Sequence, residues 1–181
     1  MFDHLRETPL TRETVFEGIL IDVDHMTVTL PDGRTAGREI VRHKGAAAVV
    51  PVDQEGNVYL VRQHRIAVDE MLLEIPAGKL DHEGEDPRDA AIRELEEETG
   101  LRAEKMDFLM NAITSPGFLT ETIGIYLATG LSQHENHLDP DEFLNVEKMP
   151  LEEAVARVMG GEFRDLKTAA ALLMAYHRLK G

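Results

Sequence analysis

The alternation of apolar and polar positions predicts several short strands at the start of the chain. Residues 14–23 and 26–30 follow the two-residue period of a half-buried strand. Residues 31–34 read Pro-Asp-Gly-Arg, and Asp-Gly between two such runs is a strong hairpin signal. Residues 37–43 resume the alternation. We therefore expect a small antiparallel sheet within residues 1–44, ahead of the main body.

Strands and helices are mixed along the rest of the chain. Apolar runs bounded by turn residues predict strands at residues 46–52, 58–63, 71–76, 106–113, 122–129 and 143–147. Runs with helical periodicity predict helices at residues 86–99, 151–159 and 165–179. The pattern shows no regular strand–helix–strand alternation, so it favours an α+β fold over a doubly wound sheet. Residues 45–181 are expected to form the second domain.

The first of these helices has clear start and stop signals. Asp86 is a suitable N-cap, Pro87 suits the first helical position, and Gly100 is a natural C-terminal stop. One stripe of the helix is expected to face the core, formed by Ala91, Ile92, Leu95 and Thr99.

Composition narrows the classes of protein that the chain can represent. Its 181 residues are 43% hydrophobic and 29% charged, which is typical of a globular protein. No apolar run approaches the roughly 20 residues that a membrane span needs, and no signal peptide is evident, so we expect a cytoplasmic protein. The chain has no cysteine, which excludes thiolate zinc sites and cysteine nucleophiles.

The net charge of −15 argues against a protein that holds nucleic acid by its backbone, because such proteins present a basic surface. It remains compatible with a small phosphorylated substrate when divalent cations lie between the two sets of negative charge. The charge by itself is more typical of a soluble protein with no such ligand.

The first helix carries a cluster of glutamates. Glu94, Glu97 and Glu98 share an arc, with Glu94 and Glu98 one turn apart, whereas Glu96 points elsewhere and is expected to be solvated. Like charges at this spacing destabilise a helix, and acids near its C-terminus oppose its dipole. Arg93 can reach Glu97 but cannot neutralise every carboxylate. Mg²⁺ or Mn²⁺ would do so, while a solvated acidic face is the simpler alternative.

The surrounding residues resemble a known motif. Gly78 is followed by six residues, Glu85, seven further residues and the run Arg-Glu-Leu-Glu-Glu-Glu-Thr-Gly-Leu at residues 93–101. This arrangement resembles the Nudix box. Every specified position from Glu85 onwards matches. The one departure is the six residues after Gly78, where the box has five, and an insertion is readily accommodated in a loop. The resemblance implies a Nudix-type α/β/α sandwich with a mixed sheet, preceded here by the N-terminal sheet.

The resemblance also implies a role for each position of the box. It assigns metal ligation to the carboxylates of Glu94, Glu97 and Glu98 and to the carbonyl oxygen of Ala77. Glu97 would share a second or third ion and count among the catalytic groups. Two or three Mg²⁺ or Mn²⁺ ions are implied per site. Arg93 and Glu85 would form an ion pair that orients the helix, which makes both residues structural.

The likeness extends over nearly the whole chain and is greatest to the ADP-ribose pyrophosphatase branch. The segments that carry it are residues 38–46, 61–65, 73–78 and 114–118. In that branch the N-terminal sheet exchanges between two subunits, so a homodimer is implied. The last of the four segments contains Pro116 and Gly117, which would line the substrate pocket.

Three charged residues outside the box are implied to bind the substrate, a nucleoside diphosphate sugar. Arg65 would contact its phosphates, and Arg38 would line the adenosine end from the partner chain. Surface salt bridges are the alternative for both arginines. Glu74 would help to hold metal or ribose, or else be an ordinary charge on an edge strand.

The general base is expected in the acidic loop at residues 132–142, because the base of this branch lies on a loop after the box. Glu142 is our choice as base or metal ligand, since it immediately precedes a predicted strand. Asp139, Asp141 and Glu135 are the alternatives. A solvated loop without any of these roles is also compatible with the sequence.

The reaction implied is ADP-ribose plus water giving AMP and ribose 5-phosphate. A different nucleoside diphosphate sugar, such as GDP-mannose or ADP-glucose, is the nearest alternative substrate. A non-hydrolysing module that senses nucleotides is a second alternative, and it would predict a degraded box. The intact carboxylates of residues 93–101 argue against it and against a purely structural acidic domain.

Overall fold

The protein divides into two compact units in a computed structural model that describes residues 2–82, 84–135 and 143–181. Met1–Gly45 and Ile113–Thr122 make up the first unit, and Ala46–Ala112 and Ile123–Gly181 the second. The predicted α+β class is confirmed. No helix in the described part of the chain is long and apolar enough to cross a membrane.

The first unit contains a three-stranded antiparallel sheet in the order β1-β2-β3. Its strands are β1 (Thr8–Glu17), β2 (Ile21–Thr29) and β3 (Thr35–His43), after a short 3-10 turn at Asp3–Leu5. The strand predicted over residues 14–23 is wrong, because the chain turns after Glu17 and the Gly18 amide donates to the Ile21 carbonyl at 3.0 Å.

The sequence misses the start of β1 for a physical reason. This strand is exposed along its whole length, so neither of its faces has to be apolar and the two-residue period is weak. The hairpin between β2 and β3 follows the prediction. Gly33 has the positive φ (86°) that the turn requires, and its amide donates to the carbonyl of Leu30.

The described residues of the second unit form two sheets and three helices. The strands are β4 (Ala46–Pro51), β5 (Asn57–Arg65), β6 (Glu70–Glu74), β7 (Ala77–Lys79), β8 (Leu101–Ile113), β9 (Thr122–Gln133) and β10 (Leu144–Pro150). The helices are α1 (Pro87–Thr99), α2 (Leu151–Met159) and α3 (Leu166–Lys180). One sheet has the order β10-β5-β6 and the other β7-β4-β9-β8, in which β4 runs parallel to β9 and antiparallel to β7. The strand predicted over residues 71–76 ends at Glu74 as β6, and a separate strand, β7, begins after Pro76, whose nitrogen cannot donate to a ladder.

Strand β4 lies between two layers of helices. Alternate residues point to opposite faces of a strand. Ala47 and Val49 pack in a cluster with Ala90, Ala91 and Leu95 of α1. The intervening residues pack in a second cluster with α2 and α3, through side chains that include Ala154, Ala171 and Leu172. All six residues of β4 are therefore buried, and the predicted α/β/α arrangement is confirmed.

Helix α1 begins and ends where its capping residues predict. The Asp86 carboxylate accepts from the Arg88 amide at 2.9 Å, and Gly100 adopts the left-handed conformation at φ 67°. The predicted apolar stripe is wrong at Ile92, which is 37% exposed, whereas Ala90 is fully buried. The helix is thus rotated so that the arc carrying Glu94 and Glu98 shares the buried face, a rotation that small alanines permit.

Candidate active site

The carboxylate of Glu94 lies directly against the backbone of strand β7. A Cβ atom added to Gly78 would be 2.0 Å from Glu94 Oε1 and 2.2 Å from its Cδ. Glu94 is only 6% exposed. Since no side chain fits between the strand and the carboxylate, glycine at position 78 is what allows β7 and α1 to approach this closely.

Glu98 is held by the residue that precedes Gly78. The amide of Ala77 donates to Glu98 Oε2 at 3.0 Å, and Glu98 is 2% exposed. Two successive backbone positions of β7 therefore meet two carboxylates that are one helical turn apart. The contact at Ala77 is through its N–H group, and metal ligation by its carbonyl oxygen stays a prediction. Buried carboxylates are costly unless they are hydrogen-bonded, paired or bound to metal.

Arg93 connects the glutamates of the helix with the loop before it. Its Nη1 lies 2.7 Å from Glu94 Oε1 and 3.0 Å from Glu97 Oε2. Its Nη2 donates to the carbonyl of Lys79 at 3.2 Å and lies 3.6 Å from Glu85 Oε1. Burial disfavours the charged guanidinium, but the charge of Glu94 and the hydrogen bonds outweigh it and raise the pKa of Arg93. The sequence did not indicate the contact with Glu94.

The extra residue between Gly78 and Glu85 lies in the loop after β7. Glu85 closes this loop by accepting from the Asp81 amide at 2.7 Å, and the contact between Gly78 and Glu94 is formed. Glu83 lies outside the described residues. Glu96, which we expected to be solvated, is partly exposed and forms an ion pair with Arg102 away from the buried carboxylates.

The donor set of the helix suits a hard divalent cation. As the side chains stand, no three His, Cys, Asp or Glu groups in the described ranges are grouped so as to hold a metal ion. Glu94 and Glu98 nevertheless bring carboxylate oxygens to one buried face at one-turn spacing, and Glu97 adjoins them through Arg93. Carboxylate and carbonyl oxygens are the ligands that Mg²⁺ and Mn²⁺ prefer, so the residues fit such an ion.

A second charged cluster lies at the end of strand β6. Glu74 is 1% exposed and accepts from Arg65 twice, from Nε at 2.7 Å and from Nη2 at 2.9 Å. Lys167 donates to the same carboxylate from α3 and lies 2.9 Å from Asp165 Oδ2. Burial opposes ionisation of Glu74, but the hydrogen bonds from Arg65 and the charge of Lys167 prevail and lower its pKa.

Sequence reasoning missed Lys167, although one signal was available. A lysine in the first turn of a helix opposes the helix dipole, so it needs a nearby acid. Asp165, two residues earlier, is the N-cap of α3 and supplies part of that charge. The other partner, Glu74, is 93 positions away along the chain. Glu74 does lie on an edge strand, β6, but its charge is buried and paired within the cluster.

The remaining candidate residues lie in the first unit or outside the described ranges. Arg38, on β3, forms a bidentate ion pair with Glu7, in which Nε donates to Glu7 Oε2 at 3.0 Å. Pro116 and Gly117 are exposed in the segment that belongs to the first unit. Glu142, with its alternatives Asp139 and Asp141, lies outside the described residues, and the alternative Glu135 is exposed.

Comparison with known proteins identifies the relatives of this chain. The NUDIX domain family matches residues 42–171. A methanol dehydrogenase activator from Bacillus methanolicus is 44% identical over 168 residues, covering 92% of this chain and 90% of that protein. An ADP-ribose pyrophosphatase from Bacillus subtilis (strain 168) is 43% identical over 170 residues, covering 93% and 91%. The crystal structure of an ADP compounds hydrolase superposes with a TM-score of 0.84 at 26% identity, covering 97% of this chain and 95% of that one.

The fold and the buried glutamate helix define a pyrophosphohydrolase, a class whose members generally use divalent metal ions. The chain belongs to the Nudix family. The predicted resemblance to its ADP-ribose pyrophosphatase branch is confirmed by the match over nine-tenths of both chains.

Proposed function

We propose that this protein hydrolyses the pyrophosphate bond of ADP-ribose, giving AMP and ribose 5-phosphate, with Mg²⁺ or Mn²⁺ as cofactor. The observation that carries the proposal is the pair of buried carboxylates, Glu94 and Glu98, held against Gly78 and Ala77. The similarity to a pyrophosphatase named for ADP-ribose supports the choice of substrate.

The metal ions would be held by the carboxylates of Glu94, Glu98 and Glu97 and by the carbonyl of Ala77, two or three ions per site. When bound, they neutralise charge on the phosphoryl oxygens and lower the pKa of water at the site. Arg93 restrains Glu94 and Glu97 from one side, and β7 restrains Glu94 and Glu98 from the other. The site is thereby pre-organised, which favours catalysis by avoiding rearrangement during the reaction.

Arg65 is proposed to bind the phosphates of the substrate. A guanidinium matches phosphate oxygens in a bidentate geometry, and the Arg65 side chain is 39% exposed despite its pairing with Glu74. Glu74 already accepts hydrogen bonds from Arg65 and Lys167. We therefore propose that Glu74 acts by orienting Arg65 rather than by binding metal or ribose.

Glu142 is proposed as the general base that accepts the proton of the attacking water, in a loop that also carries Asp139, Asp141 and Glu135. Glu142→Gln should lower kcat while KM for ADP-ribose stays within a factor of about two, since a base acts only in the transition state. A larger loss in Asp139→Asn, Asp141→Asn or Glu135→Gln would assign the role to that residue instead.

We further propose that the protein acts as a homodimer assembled through its first unit. All of β1 is exposed, and it presents apolar side chains that include Leu10, Val15 and Phe16. Exposed apolar surface of this kind marks sites of protein–protein contact. Arg38, Pro116 and Gly117 belong to this unit and are proposed to line the substrate pocket.

A substrate panel tests the proposed reaction. Purified protein with Mg²⁺ is incubated with ADP-ribose, ADP-glucose and GDP-mannose, and the AMP or GMP released is quantified. We expect kcat/KM for ADP-ribose to exceed the others by about tenfold or more, equivalent to about 1.4 kcal/mol of transition-state binding. A preference for GDP-mannose would overturn the substrate assignment and leave the hydrolase in place. Failure to cleave any of the three would overturn the proposed reaction.

A further inference from the structure

Lys167 is an almost buried cation in an unfavourable place. It lies in the first turn of α3, where the helix dipole disfavours positive charge, and its side chain is only 14% exposed. Two carboxylates, Glu74 and Asp165, compensate for this position. Asp165 also caps the helix by accepting from the Thr168 amide at 3.0 Å. A lysine with so little exposure contributes little to surface solubility, so its position indicates a different role.

The register of the sheet shows how much Arg65 depends on Glu74. In the β5–β6 ladder Arg65 pairs with Glu70, whereas Glu74 pairs with Val61. Arg65 and Glu74 are therefore four positions apart, about 13 Å along the strands, but on the same face of the sheet. The Arg65 side chain folds back along that face to reach the carboxylate. The position of its guanidinium is thus set by Glu74.

The first turn of α3 also holds the chain that leads to the glutamate helix. Thr168 is fully buried, and its hydroxyl accepts from the Ile75 amide at 3.0 Å. Lys167 and Thr168 thus fix two successive residues, Glu74 and Ile75. Two residues later the same segment reaches Ala77, whose amide contacts Glu98.

Arg65 is electrostatically close to that helix. The hydrogen bonds to Glu74 are the main cause of the raised pKa of Arg65, and the negative charges of Glu98 and Asp165 contribute as well. The guanidinium therefore lies within the field of both the Glu74 cluster and the candidate metal ligands. Arg65 and Lys167 both pair with the Glu74 carboxylate. The single negative charge of Glu74 is therefore shared between two cations and does not fully neutralise Arg65.

We infer that Lys167 is a positioning residue for substrate phosphates, acting through Glu74 on Arg65. Lys167 holds the Glu74 carboxylate at the end of β6, and Glu74 holds the Arg65 guanidinium folded back along the sheet. Because Lys167 also pairs with Glu74, the positive charge of Arg65 is only partly neutralised and can still attract the diphosphate. This inference rests on the proposed function in one respect, that Arg65 contacts the phosphates.

Kinetics of Lys167→Gln test the inference. The amide removes the charge and keeps a donor, so we expect KM for ADP-ribose to rise about tenfold, within the usual range of couplings between contacting groups, with kcat within about threefold. Lys167→Arg should recover most of the loss because it restores the charge. Lys180→Gln is the matched control. It removes an exposed lysine from the same helix, paired only loosely with Glu152 at 3.4 Å, and should leave both constants unchanged.

A double variant separates positioning from a purely structural role. In an Arg65→Gln background, Lys167→Gln should change KM by less than about twofold, because its effect passes through Arg65. If the two losses simply multiply, or if Lys167→Gln lowers the melting temperature without raising KM, Lys167 only anchors α3 and the inference is wrong. Should Lys167→Gln not fold, Lys167→Met, an uncharged side chain of similar length, takes its place in the same comparison.

Binding of ADP by calorimetry makes the inference testable apart from the reaction. The dissociation constant should weaken about tenfold in Lys167→Gln and show the same dependence on Arg65. If that coupling is found in a protein that cleaves none of the panel substrates, the proposed function fails and the inference stands. If ADP-ribose is cleaved and the coupling is absent, the inference fails and the proposed function stands.

Discussion

At the scale of single residues, the protein places its acids where a core would ordinarily be apolar. Glu94 and Glu98 are buried on the same face of α1 as Ala91 and Leu95. The cost of burying a carboxylate is offset by directed partners, namely Arg93 for Glu94 and the Ala77 amide for Glu98. These side chains are therefore held in position before any ligand arrives, which is what a site for metal and phosphate needs.

Removing one charge from this pair should abolish catalysis and spare the fold. We expect Glu98→Gln and Glu94→Gln each to lower kcat by about a thousandfold, since an amide is a poor ligand for Mg²⁺ yet can still accept a hydrogen bond. The AMP released and the thermal unfolding curve are the two measurements. Glu96→Gln, on the same helix but paired with Arg102, serves as the control and should keep full activity. Activity like that of the wild type in Glu98→Gln would refute the metal-site assignment.

The close approach at Gly78 gives a second residue-scale prediction. Gly78→Ala would put a methyl group 2.0 Å from Glu94 Oε1, so either the carboxylate or β7 must move. We expect activity to fall by about a hundredfold, because displacements near 1 Å at a catalytic site have effects of this size. Gly160→Ala is the matched control, since its new Cβ would meet nothing closer than 3.5 Å. Equal activity in the two variants would show that Glu94 does not need its present position.

Sequence identified the residues of the glutamate helix and the pairing of Arg93 with Glu85, but it did not identify Lys167 or the burial of Ala90. Spacing within one helix is local information, so the one-turn relation of Glu94 and Glu98 follows from the chain alone. The contact of Lys167 with Glu74 joins residues 93 positions apart and depends on how α3 packs beside β6. The choice of Ala90 over Ile92 for the buried face likewise depends on the space that β4 leaves.

At the scale of elements, the sequence predicted helix ends that have capping residues and strands that are buried, but it did not predict the bounds of an exposed strand. Helix α1 begins and ends at its capping residues, Asp86 and Gly100. The unbroken apolar run of strand β4 indicates that both of its faces are buried. Strand β1 carries no such signal, because both of its faces are exposed within one chain and it lacks the apolar–polar alternation of a half-buried strand.

The turn between β4 and β5 should make stability depend on acid. Asp53 is partly buried, and its carboxylate accepts from the amides of Glu55 and Asn57 at 3.0 and 2.9 Å and lies 2.7 Å from Lys148 Nζ. Burial opposes ionisation, but Lys148 and Asn57 prevail and lower the pKa of Asp53 to about 2. A pKa that is lower in the folded state stabilises the protein above the unfolded value, near 3.9, and that contribution is lost as the pH falls towards 2.

Urea unfolding of Asp53→Asn at pH 7 and pH 3 measures this contribution. At pH 7 the variant should be less stable than the wild type by about 1 to 2 kcal/mol, a figure discounted for solvent screening. At pH 3 the difference in the free energy of unfolding should be smaller, because this pH lies below the unfolded-state pKa of Asp53 and the ionised carboxylate then stabilises the wild type less. Glu55→Gln removes an exposed charge 3.7 Å from the same lysine and should change the free energy of unfolding little at either pH. A difference that does not vary with pH would contradict the assignment to charge.

At the scale of the whole molecule, the two units carry different parts of the proposed activity. The glutamate helix, Arg65 and Lys167 belong to the second unit, whereas Arg38, Pro116 and Gly117 belong to the first. The first unit exposes an entire strand with large apolar side chains, which a sheet edge seldom leaves uncovered. We expect a second copy of the chain to cover it, and substrate binding to depend on that assembly.

Light scattering coupled to size-exclusion chromatography tests the dimer. The wild type should elute with a mass about twice the 20.2 kDa of one chain. Val15→Asp places a charge on the exposed strand and should shift the mass to that of a monomer, because burying an unpaired carboxylate at an interface is unfavourable. Met159→Asp adds the same charge at an exposed apolar position of α2 and should leave the dimer intact. If monomeric Val15→Asp keeps the KM of the wild type for ADP-ribose, the partner contributes nothing to the pocket. A monomeric wild type would refute the proposed dimer. The residues of a single chain would then have to bind and hydrolyse the substrate without a partner.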